Sequence, residues 1–79
     1  MTRIVVTVMP REGVLDPQGQ TVHGALERLG FDGVGDVRIG RRIELELEGS
    51  NPEEAAREMC RRLLANPLIE DFDIQVEGT

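Results

Sequence analysis

Twice in this chain a polar cap residue is followed at once by proline and an amphipathic run, and each time an apolar or alternating segment precedes it. The first instance is Asp16-Pro17 after RIVVTVM (residues 3–9); the second is Asn51-Pro52 after RIELEL (residues 42–47). A short oxygen-bearing side chain can accept the free N–H groups of a helix's first turn. Proline at the first helical position has no N–H to leave unpaired, and its φ is already helical. The β-branched run before Pro10 predicts a strand that stops where the ladder donor is lost. Two strand-then-helix units therefore constrain the chain more than any other feature.

The remaining elements follow from periodicity. Val22, Ala25, Leu26 and Leu29 recur at i, i+3, i+4 and i+7 and predict a first helix ending at Gly30. Ala56, Met59, Cys60 and Leu63 form the stripe of a second helix, with Glu54 placed for a capping box, and Asn66-Pro67 marks its end. Glu53 with Arg57 and Glu58 with Arg62 are i, i+4 pairs on its wet face. Residues 69–76 alternate, with Phe72, Ile74 and Val76 facing inward, and predict a last strand. Between the helices, Val37, Ile39, Ile43, Leu45 and Leu47 share one parity, while Arg38, Arg42, Glu44, Glu46 and Glu48 share the other. A two-residue turn at Gly40-Arg41 would mix the two sets on one face. A hairpin pairing Ile39 with Ile43 across a three-residue loop keeps them apart, as does one long strand bent near Gly40; the hairpin is the preferred reading.

The order β-α-β-β-α-β most simply gives a two-layer α+β fold, ferredoxin-like, with a four-stranded antiparallel sheet and both helices on one face. With 79 residues the chain is one domain, 1–79, and at this size only roughly 60% of the unfolded chain's surface is buried on folding. The other sheet face is then bare, and self-association as dimer or tetramer is expected.

Charge and cysteine usage exclude several roles. Fifteen acidic against nine basic residues give a formal charge of −6, which repels nucleic acid phosphates and anionic lipid, so neither nucleic acid nor membrane is an expected partner. The apolar run IVVTVM is too short for a signal peptide or a membrane span. Cys60 is the only cysteine and falls on a helical stripe, where a reduced thiol packs as a small hydrophobe; the chain reads as cytoplasmic.

A search for chemistry returns little. His23 is the single histidine, with no second histidine or cysteine at metal spacing, and reads as structural or solvent-facing. Glu44, Glu46 and Glu48 read as the solvated face of a strand. Gly30, Gly33 and Gly35 follow a helix and precede a strand, the reverse of the context a dinucleotide-binding turn requires. No nucleophile, base and oxyanion donor assemble, so no catalytic, cofactor-binding or metal-binding residue is assigned.

Four segments in this order and spacing nevertheless carry a resemblance: VLDPQG (14–19), the helix ending in ALERLG, DVRIG (36–40), and MCRRLLANPLIEDF (59–72). The chain resembles the PurS family, the small subunit of phosphoribosylformylglycinamidine (FGAM) synthase, over nearly its whole length. Within that pattern a basic residue follows the DVRIG glycine, here Arg41, and Phe72 stands where an aromatic, often tyrosine, is usual. The resemblance implies a non-catalytic subunit in the fourth step of purine biosynthesis. There a PurL-type synthase performs ATP-dependent amidation with ATP and Mg on the large subunit, a PurQ-type glutaminase releases ammonia, and the small subunit holds the two together. Arg38, Gly40 and Arg41 are the candidate partner contacts, because arginine can bond carboxylates bidentately and DVRIG is among the segments that carry the resemblance. The competing expectation is a regulatory module that binds an amino acid at a dimer interface.

Overall fold

The computed structural model describes residues 1–77. The elements are β1 (Thr2–Pro10), α1 (Pro17–Arg28), β2 (Arg41–Leu47), α2 (Pro52–Met59), a π-turn continuing it (Cys60–Leu64), and β3 (Glu70–Glu77). The sheet has three strands in the order β2-β1-β3, both pairs antiparallel. Its register puts Ile4 opposite Leu45 and Val76, Val6 opposite Ile43 and Ile74, and Val8 opposite Arg41 and Phe72. These residues share one face, and α2 packs on it over β1 and β3. Ile4, Val6, Val8, Ala56 and Cys60 are fully buried there.

The opposite face is charged. Arg3 lies between Glu46 and Glu77 in the register and pairs with Glu44 and Glu77, and Arg42 stands by Glu44. Glu44 and Glu46 are thus on the solvated face, as the alternation predicts. The sheet face expected to be left uncovered is therefore a charged, solvated one.

Two further expectations are corrected. The sheet has three strands rather than four, and residues 36–40 form no hairpin with β2. Instead they run on from β2 past the end of the sheet, beside residues 9–19. A Cβ at Gly40 would collide with the Val8 carbonyl and the Met9 sulfur, so the glycine lets the backbone continue along β1 without turning back. The chain is therefore drawn out to 50 × 27 × 14 Å, and only α2 covers the sheet. Helix α1 packs on no strand to a comparable extent, and Gly19 is its only fully buried residue.

The helix ends explain themselves locally. Gly30 takes φ +95° and its N–H bonds the Glu27 carbonyl, while the Phe31 N–H reaches back to Leu26, the double bond that closes a helix on glycine. The π-turn puts Ala65 N–H on the Cys60 carbonyl at 3.0 Å. The widened turn shifts the phase of the stripe. Leu64 packs against the core, whereas Leu63, predicted to face inward, is 83% exposed. Asn51 precedes α2 but its side chain makes no capping bond, unlike Asp16.

Candidate functional site

One densely bonded region is the joint where residues 10–19 meet residues 36–40. One oxygen of Asp16 accepts the Gly19 N–H at 3.0 Å, capping α1, and the other accepts the Ile39 N–H at 2.9 Å. A Cβ on Gly19 would strike the Val37 carbonyl, so this helix turn lies directly on the 36–40 segment. Arg38 donates to the Pro10 carbonyl. The Gly19 N–H, then the Ile39 N–H, and the nearby Arg38 charge all favour the ionised carboxyl of Asp16 and hold it below the usual range.

A second knot closes the sheet end. Arg41 has the parity of Ile43 and Leu45, so it reaches across the apolar face of β1, forks onto both oxygens of Glu70 at 3.0 and 3.1 Å, and donates to the Leu64 carbonyl at 2.8 Å. Glu70 also accepts the Asn66 N–H at 2.8 Å. The Arg41 bond first, then the Asn66 N–H, lower the Glu70 carboxyl below its ordinary range. Arg41 thereby ties β2 to the last carbonyl of the π-turn and to the start of β3.

The three candidate contacts are thus neighbours in sequence with distinct structural duties. Arg38 fastens the joint, Gly40 permits its close approach, and Arg41 is paired within the chain, although half of its side chain remains exposed. Sequence reading did not single out Glu70, yet the signal was present: Arg41 and Glu70 both carry charge at positions whose parity is apolar, and two such residues predict each other. The other candidates are structural. His23 bonds the Val34 carbonyl through Nε2 at 3.0 Å and faces Glu27 through Nδ1 at 3.3 Å, fastening the loop after α1 to the helix. Cys60 is buried, and burial pushes its thiol pKa up, away from nucleophilic character. A cleft beside the joint is lined by Arg11, Glu12, Asp16, Asp36 and Arg38, where alternating signs give no single field for a charged ligand. Among the described residues no group of three or more His, Cys, Asp or Glu could hold a metal, and no helix is long and apolar enough to cross a membrane.

These features define a small α+β assembly domain, whose strongest polar bonds fix the relative placement of its own segments and leave apolar helix surface outward. Comparison with known proteins gives the family. Residues 3–78 match the model of PurS, phosphoribosylformylglycinamidine (FGAM) synthase. The PurS subunit of Mycobacterium leprae is 48% identical over 78 residues, 99% of either chain, and that of Methanocaldococcus jannaschii 42% identical over 80 residues, covering 98% of this chain and 96% of the other. Among solved structures, Bacillus subtilis PurS superposes with a TM-score of 0.91 at 44% identity over 99% of this chain and 100% of that one. A chain of PurLQS from Thermotoga maritima gives 0.83 at 32% identity over 96% of each. The chain belongs to the PurS family and is a subunit of FGAM synthase, an enzyme of purine biosynthesis.

Proposed function

We propose that this subunit is the non-catalytic bridge of its enzyme, holding a PurL-type synthase and a PurQ-type glutaminase together so that ammonia passes from one to the other without release. ATP and Mg belong, in this reading, to the large subunit, and the complex works in the cytoplasm. The observation that carries it is the likeness, over 96% of both chains, to a component of PurLQS. The character of the fold supports it. Asp16, Arg38 and Arg41 stiffen the connections between elements, as a spacer requires, and the remaining N–H donors of the two arginines are suited to a partner's carboxylates.

Reconstitution tests this reading. With synthase and glutaminase subunits present, omission of the chain should abolish glutamine-dependent FGAM formation and affect synthesis from high free ammonia much less, because ammonia then arrives from solution. Equal glutamine-dependent turnover with and without the chain would overturn the bridging role.

A further inference from the structure

The run CRRLL, residues 60–64, repeats each of its last two residue types, so it can be wound in two phases with nearly the same side chains in place. Leu63 and Leu64 are interchangeable as the leucine that fills the core. Arg61 and Arg62 are interchangeable as the arginine beside Glu58, whose carboxylate lies 3.4 Å from one and 4.0 Å from the other. In a regular helix each residue advances by about 100°, the Ala65 N–H would bond the Arg61 carbonyl, and Leu63 would face inward. In the π-turn that N–H bonds the Cys60 carbonyl, and the extra residue in the ring brings Leu64 round to the place Leu63 would hold. Packing therefore gives little reason for one winding over the other, and the π form is by far the rarer. Its selection has to come from outside the segment.

The Arg41–Glu70 pair stands at its end. The π-turn stops at Leu64 and Ala65 is extended, which leaves the Leu64 carbonyl and the Asn66 N–H without helical partners. Arg41 donates to the first at 2.8 Å, Glu70 accepts from the second at 2.8 Å, and the two side chains are forked onto each other. Both are fixed by the sheet, since they begin β2 and β3 opposite Val8 and Pro10 of β1. Peptide planes rotate with their side chains, so a regular helix would carry the Leu64 carbonyl off Arg41. We infer that the Arg41–Glu70 pair is a latch that selects the π winding of residues 60–64 and so decides which of two leucines is buried and which faces out. With the latch open the segment winds as a regular helix, Leu63 turns inward and Leu64 outward, and the slack passes into the turn at 65–69. The element has two discrete positions of similar packing, held in one of them by a contact from the sheet. It does not depend on the bridging role and is tested on this chain alone.

Nuclear magnetic couplings transmitted through hydrogen bonds identify the carbonyl to which each N–H is bonded, and they are read here on the full chain labelled in nitrogen and carbon. In the native chain the Ala65 N–H should couple to the Cys60 carbonyl carbon. Arg41→Met with Glu70→Met makes both positions apolar, like the others of their parity on that sheet face, and should replace this coupling by one to the Arg61 carbonyl carbon. The leucines give a second reading. Leu64→Ala should lower the urea midpoint more than Leu63→Ala in the native chain, and the order should reverse in the double-methionine background. A Cys60 coupling retained in the double variant, or leucines that keep their native order there, would show that the segment's own packing sets the winding and would overturn the latch. Should the double variant fail to fold, Arg41→Met alone is read by the same coupling, with loss of the bond to Cys60 expected and its retention overturning the inference.

Discussion

Asp16 shows how much one carboxylate can organise, since capping α1 and fastening residue 39 are separate demands met by its two oxygens. Asp16→Ala should lower the denaturation midpoint clearly more than Asn51→Ala, whose side chain makes no capping bond. Both changes are read from the same urea titration. Asp16 and Glu70 are each held below their ordinary carboxylate range, so the stability they supply is complete above about pH 5 and is lost as pH falls through about 4 and below, where the native state must take up protons. Asp16→Asn combined with Glu70→Gln should flatten that acid limb. The opposite outcome, an unchanged acid limb, would mean that neither carboxylate is engaged. Gly40→Ala should cost about 1–3 kcal/mol, because the new methyl meets the Val8 backbone carbonyl, which cannot swing aside as the Met9 sulfur can. Of these residues the sequence made Asp16 legible as a cap, since Asp-Pro before an amphipathic run has a local cause. Its bond to Ile39, across 23 positions, depends on where the chain returns and has no local signature.

At the level of elements, β1, both helix starts and β3 followed from periodicity and punctuation, to within one residue at each end of β3. The segment 36–40 did not. Parity alone allowed either a hairpin or a straight run, and the choice was made by Gly40 lying against Val8, a contact between strands that only the assembled sheet defines. The π-turn was equally invisible, because a stripe read at helical spacing assumes a constant turn and CRRLL widens it. The two side chains after Arg62 separate these readings. Leu64→Ala should destabilise by about 1–2 kcal/mol for a partly buried side chain. Leu63→Ala should fall within about 0.5 kcal/mol of the native chain. Denaturant midpoints ranking the two in the reverse order would restore the regular helix.

For the molecule as a whole, the sequence supported one small α+β domain, but not its openness. A fold of 79 residues with both helices on one sheet would close on itself; this chain instead extends α1 past the sheet and keeps its second apolar surface outward. What the residues could not supply was the chemistry, and the resemblance in VLDPQG, DVRIG and MCRRLLANPLIEDF pointed instead to a larger enzyme of which this chain is a subunit. The bridging role therefore stands or falls on whether this chain joins the other subunits to each other. The direct measurement is the mass of the assembly formed from the synthase and glutaminase subunits in the presence and absence of this chain, by sedimentation under turnover conditions with glutamine and ATP. One species containing all three is expected when the chain is present, and separate synthase and glutaminase when it is left out. A synthase–glutaminase complex of equal stability without it would contradict the bridge.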